Sequence, residues 1–239
     1  MSLPIEVCIE CGDLTSVRCS VENALAGGAK RIELCANMTA DGLTPNAQDI
    51  RVAREVFGSR RGVLAMIRPR VGNFCYSNSE IETMTYQILM AAKAGADGVV
   101  LGVLKGDQID EIALDQLLAV ARHYDLSISF HRAFDDITDK HRALELLIDK
   151  KVQYVLTCGA PLNSGLSALE GVADINSTLE HANGRIEVVV GGGIRCDNVQ
   201  ILLGRLARTG SAMSVHSYSG LLDDGLTASH LVKDMVNSA

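Results

Sequence analysis

Eight short runs rich in β-branched residues, each followed by one amphipathic stretch, predict an α/β chain folded as a single (β/α)8 TIM barrel. The runs fall near residues 4–10, 30–37, 62–70, 98–104, 127–134, 154–159, 187–193 and 212–219. The amphipathic stretches lie between them, near 14–26, 46–57, 79–94, 111–124, 138–150, 167–183 and 197–208, with a last one near 228–237. Glycine closes two of the helical stretches just before a strand, in Ala26-Gly27-Gly28-Ala29 and Ala94-Gly95-Ala96-Asp97, where a left-handed cap turns the chain sharply. An open doubly wound sheet also alternates strand and helix, but eight repeats spaced by roughly 25–36 residues suit closure of a barrel better. No linker, low-complexity tract or charge block divides the chain, so residues 1–239 are expected to form one domain.

Composition agrees with a sheet buried on both faces. The chain is 47% hydrophobic but only 4% aromatic, with no Trp, so Val, Ile, Leu and Ala must fill the core. A net charge of −7, with 22 Lys and Arg spread along the chain, offers no basic stripe for nucleic acid. No stretch reaches the roughly 18 apolar residues of a membrane helix, and the segment Met1 to Glu10 does not read as a secretion signal. A cytosolic setting is therefore expected, with the seven cysteines reduced.

Period-two alternation then sorts the strands into faces. With Ile5, Val7 and Ile9 outward, Glu6 and Cys8 point into the barrel, and with Ile32 and Leu34 outward, Glu33 and Cys35 follow. The third strand turns Met66, Arg68 and Arg70 inward, the fifth Ser129 and His131, the sixth Val155 and Thr157, and the eighth Ser214 and His216. Most of these lie late in their strands, at the face where barrels carry their sites. Glu6, Glu33, Arg68, His131 and His216 are accordingly the candidate catalytic residues. A structural alternative is a buried network in which Glu6 and Glu33 pair with Arg68.

Gly191-Gly192-Gly193 follow the seventh strand and lead toward a helix, the usual phosphate site of this fold, so an anion is expected there, with Arg70 and Arg132 as further partners. A tight turn needing glycine is the structural alternative. Thiols cluster early. Cys8-Ile9-Glu10-Cys11 is a C-x-x-C at the end of the first strand, and Cys35 ends the second. Soft thiolates select Cu(I), whereas zinc normally wants four ligands and no second C-x-x-C exists. Buried Cys as a small hydrophobe is the structural reading.

Longer motifs add to this. Ile5-Glu6-Val7-Cys8, Arg31-Ile32-Glu33-Leu34-Cys35, Asp41-Gly42-Leu43-Thr44-Pro45, Met66-Ile67-Arg68-Pro69-Arg70, Phe130-His131-Arg132-Ala133-Phe134-Asp135 and Ser167-Ala168-Leu169-Glu170-Gly171 together resemble the CutC family, historically called copper homeostasis proteins. The resemblance runs from about residue 5 to 217. Cys158 departs from it, standing where the family usually has Ser. It implies a cytosolic TIM barrel that forms a homo-oligomer, a dimer or tetramer, and a Cu(I) role for Cys8 and Cys35.

Two functions follow as expectations. One is a copper-handling protein that binds Cu(I) through Cys8 and Cys35, with Cys11 as a further thiol. The other is an enzyme on a small anionic or phosphorylated metabolite, with His131 or His216 as general acid or base and Glu6 or Glu33 orienting it.

Overall fold

The computed structural model describes residues 3–207, 210 and 212–239. Eight parallel strands close into a barrel: β1 (Ile5–Cys11), β2 (Arg31–Ala36), β3 (Val63–Met66), β4 (Gly98–Leu101), β5 (Ser127–Phe130), β6 (Tyr154–Thr157), β7 (Glu187–Val190) and β8 (Met213–Ser217). Each strand pairs with its sequence neighbours, and β1 pairs with β8 to complete the circle. Outside them run α1 (Leu14–Gly27), α2 (Ala47–Phe57), α3 (Asn78–Ala94), α4 (Glu111–His123), α5 (Lys140–Asp149), α6 (Val172–Ala182), α7 (Val199–Arg205) and α8 (Ser229–Ser238). The expected architecture is thus the observed one. Strands other than β1, which runs one residue further to Cys11, end earlier than expected at their carboxyl ends; β3 stops at Met66, and the residues after it pass into the loop above the barrel. Residue 208, the expected end of the seventh helical stretch, lies outside the described residues.

Local chemistry sets the element ends. Asp13 caps α1 by accepting the Ser16 N–H at 2.8 Å. Asn46 with Asp49, and Ser77 with Glu80, form reciprocal capping boxes at the starts of α2 and α3. Gly28 and Gly95 end α1 and α3 in the left-handed region, at φ 96° and 98°, as the sequence predicts. Among the described residues no helix is long and apolar enough to cross a membrane.

Most of the core lies between the strands and the helices, where Ile5, Val7, Ile9, Ile32, Leu34, Val99, Phe130 and Val188 meet the apolar faces of α1 to α8. A smaller apolar cluster of Cys8, Cys35, Leu64, Met66 and Val100 fills the barrel itself. Beneath it the floor is ionic. Arg31, at the start of β2, donates from Nε to Glu6 at 2.8 Å and from Nη2 to Glu187 and Ser214, both at 2.8 Å, while its guanidinium lies 4.3 Å over the Tyr154 ring. The structural alternative in which Glu6 and Glu33 pair with Arg68 is not what the structure shows: Glu6 takes Arg31, Glu33 stands near His216, and Arg68 bonds to loop carbonyls at the opposite end of the barrel.

Two outcomes follow for stability. Arg31→Met should cost about 3–5 kcal/mol in denaturant unfolding, because it strands the buried Glu6 carboxylate. The exposed Arg18–Glu55 pair should contribute less than about 1 kcal/mol by the same measurement. A Cβ at Gly98 would stand 2.8 Å from the Ser127 carbonyl oxygen and closer still to Ser127 Oγ and Leu64 Cδ2. Gly98→Ala should therefore destabilise by about 1–3 kcal/mol, and an unchanged melting temperature would show that the barrel can widen there.

Candidate functional site

The carboxyl ends of the strands surround a cavity of about 190 Å³ with two chemically different walls. The first is built by β1, β2 and β8. Parallel pairing sets Cys8 beside Glu33 and Glu6 beside His216, and alternation turns all four into the barrel. His216 Nδ1 lies 2.9 Å from Glu6 Oε1, and its Nε2 lies 3.6 Å from Glu33 Oε2. The ligating atoms of Cys8, Glu33 and His216 all fall within 4.8 Å of one another. Met38 brings a thioether to 3.8 Å from Cys8 Sγ. It is held there by a short 3-10 turn, Met38–Ala40, flanked by Asn37 and Asp41 in the left-handed region, with its N–H donated to Glu10 Oε1 at 2.9 Å.

The charges on this wall follow from one another. Burial alone would raise Glu6, but its bond to His216 and the charges of Arg31 and His216 outweigh that and hold it at about 2. Burial likewise opposes a charge on His216, yet its bonds to Cys8 and Glu6 and the neighbouring Glu33 and Glu6 raise it well above a free imidazole. The Cys8 thiol drops to about 6, mainly because Cys35 donates to it, with His216 adding a bond and a charge against the cost of burial. Cys35, as that donor, and Glu33, buried beside the thiolate, are both pushed well above their ordinary values. At neutral pH the wall holds a thiolate facing an imidazolium, with Cys35 as a protonated donor and Glu33 held above the usual carboxylate range. Glu33 Oε1 has no hydrogen-bond partner.

The second wall comes from β3 and β5. Arg68 donates from Nη1 to the carbonyls of Ala40 (2.7 Å) and Gly42 (3.0 Å) and from Nη2 to that of Gly72 (3.2 Å), and stacks at 5.3 Å on the Phe74 ring. His131 is buried against Phe74, with ring centroids 4.7 Å apart, and its Nδ1 accepts the Ala133 N–H at 3.1 Å. Burial and the charge of Arg68 depress the imidazole to about 3, so it is neutral and carries its proton on Nε2, which has no partner. Arg132 reaches the cavity beside them, tied to Asp135 at 2.9 Å and to the Ala160 carbonyl at 3.2 Å.

Other expected residues fall elsewhere. Arg70 does not enter the barrel. β3 has already ended, and its guanidinium pairs with Glu80 at 2.5 Å and collects the carbonyls of Asn73 and Cys75. Cys11 lies on the outer face of β1 in the core beneath the helices, so the C-x-x-C does not act as a unit. In β6 the parity is the reverse of that expected. Val155 packs outward, Thr157 turns its hydroxyl to Asp135 at 2.5 Å, and Leu156 lines the cavity. Gly192 and Gly193 border the cavity, but Gly191 N–H is spent on the Thr157 carbonyl and α7 begins only at Val199, so the triplet does not lead straight onto a helix N-terminus. The glycines are needed for space: a Cβ at Gly192 would lie 2.8 Å from Cys158 Sγ. Arg31 and Met38 were not among the expected site residues. Alternation through Arg31, Glu33 and Cys35 carries the signal for the first; no spacing signals the second.

His131 gives a pH dependence with a definite sign. Its folded value lies below the 6.5 of a free imidazole, so its contribution to stability is complete above pH 6.5 and is lost as pH falls toward 3. Between pH 6.5 and 4.5 the stability of the wild type should fall more steeply than that of His131→Phe, by up to about 1.4 kcal/mol per pH unit. Parallel pH profiles in urea unfolding would refute a buried neutral His131.

Comparison with known proteins agrees with this architecture. The sequence pattern of the CutC family matches residues 3–220. The human copper homeostasis protein cutC homolog is 42% identical over 200 residues, covering 83% of this chain and 68% of its own. A family protein CutC from Vibrio campbellii is 41% identical over 201 residues, covering 83% and 76%. The solved CutC structure from Streptococcus agalactiae superposes with a TM-score of 0.77 at 32% identity, covering 90% of this chain and 99% of that one. A 3-keto-L-gulonate-6-phosphate decarboxylase from Vibrio cholerae, at 11% identity and a TM-score of 0.68, covers all of this chain and 97% of its own and shares the fold alone. With its barrel matching a solved member and its sequence matching across the strands that build the site, this chain belongs to the CutC family.

Proposed function

We propose that the protein takes part in copper homeostasis by binding Cu(I) at the first wall of the cavity, through Cys8 and Cys35 with the Met38 thioether beside them. The observation that carries this reading is the sulfur cluster itself. Cys8 Sγ lies 3.8 Å from Met38 Sδ, and Cys35 bonds to Cys8, in an apolar cup with Leu64, Met66 and Val100. Two thiolates and a thioether are soft donors of the kind Cu(I) prefers, and two or three such ligands suffice. Relatives named for copper homeostasis support the same direction. His216 and Glu33 serve as the outer support, with His216 stabilising the thiolate and Glu6 fixing its ring. All seven cysteines are unpaired, in keeping with a reducing, cytosolic setting.

Anaerobic Cu(I) titration against a chromophoric chelator tests this. One equivalent should bind tightly in the wild type and be lost in Cys8→Ser/Cys35→Ser, while Met38→Leu should weaken binding by roughly tenfold, as expected for one soft ligand of three. Binding indifferent to the cysteines would sink the reading. Proton counting gives a second check. Cys8 is already ionised above about pH 6 and Cys35 is not, so at pH 7 binding should release about one proton per copper. Release of two would show that Cys8 enters as a thiol.

A further inference from the structure

We propose that the second wall of the cavity, built from Arg68 and His131, binds the oxyanion group of a small organic acid or phosphate ester. This does not rest on copper binding, because neither residue belongs to the sulfur cluster.

Arg68 is buried, and among the described residues no carboxylate comes within ion-pair distance of it. Its hydrogen bonds go to carbonyls, which orient the guanidinium without neutralising it, and its Nε has no partner. The Tyr76 hydroxyl stands beside the guanidinium as a neutral neighbour and supplies no counter-charge. Asp41 borders the same cavity but, among the described residues, forms no ion pair with Arg68. A buried cation left without a counter-charge is costly, and so is each buried donor left unpaired, by about 1–3 kcal/mol.

His131 supplies the second donor. Because its Nδ1 accepts the Ala133 N–H, the Nε2 nitrogen must hold the proton, and that N–H is unmet. Its neutral state fits a donor that polarises an oxygen, not a base, in the way neutral imidazoles serve as electrophiles. Phe74 packs against both groups, and Leu156, Leu162 and Ile194 add apolar lining to the same cavity, where the lower local dielectric strengthens a hydrogen bond to an oxyanion. At about 190 Å³ the cavity is smaller than the roughly 300–1,000 Å³ of drug-sized sites, which limits the ligand to a small metabolite. Its other end would face Cys8 and Glu33 across the cavity.

The test uses the metal-free full chain with ¹⁵N-labelled histidine at pH 7. Sodium phosphate and sodium pyruvate are titrated separately, against sodium chloride of matched ionic strength, while the His131 Nε2–H resonance is followed. We expect a saturable downfield shift with at least one of the two anions, and the one that saturates names the group recognised. Arg68→Gln should weaken that binding by tenfold or more, whereas Arg61→Gln, at an exposed pair with Asp125, should not alter it. Absence of a saturable shift with both anions overturns the proposal, as does wild-type affinity in Arg68→Gln. If Arg68→Gln does not fold, the wild-type resonance decides alone. Failure here with Cu(I) uptake intact counts only against this site, and failed Cu(I) uptake leaves it standing.

Discussion

The buried carboxylate of Glu6 is the interaction on which the rest of the site depends. One oxygen takes Arg31, which ties together β2, β7 and β8 at the floor of the barrel, and the other takes His216 at the mouth. A buried acid is tolerated only with such partners, so the closure of the barrel and the charge of the site are set by the same group. Cys8 and Glu6 together favour the proton on His216, Cys35 and then His216 favour the thiolate on Cys8, and that thiolate in turn raises Cys35 and Glu33.

This chain of dependence divides the cavity. On one side stand polarisable sulfurs, Cys8, Cys35 and Met38, supported by an ionic network that never reaches the other wall. On the opposite side stand hard donors, the Arg68 guanidinium and the His131 N–H, anchored by backbone groups of the loops above β2, β3 and β5. The wall proposed for Cu(I) and the wall proposed for an oxyanion thus border one small space through different residues. Barrels permit this because each strand end contributes its own side chain and loop to a common mouth.

Period-two reasoning worked where strands are long and uniformly paired. In β1 and β2 it placed Glu6, Cys8, Glu33 and Cys35 inside, as the structure does, because six consecutive register pairs leave no freedom of phase. It failed in β6, where four residues carry too little pattern to set the phase, and Leu156 rather than Val155 and Thr157 faces inward. Beyond Met66 the strand ends: Arg68 still borders the cavity as expected, held there by loop carbonyls, but the alternation does not carry on to Arg70, which turns away to Glu80.

The sequence by itself determined the barrel, the two glycine caps that close α1 and α3, and the convergence of acids, histidines and thiols on one end, because periodicity and capping are local properties of the chain. Tertiary structure alone decided which of those groups meet. That Glu6 takes Arg31 and not Arg68, that Met38 joins the cysteines, and that His131 is left neutral with one free N–H all depend on distances between strands and loops far apart in sequence. Such pairings are fixed by barrel closure and by the cost of leaving buried charge unmatched, and neither is written in any short stretch of residues.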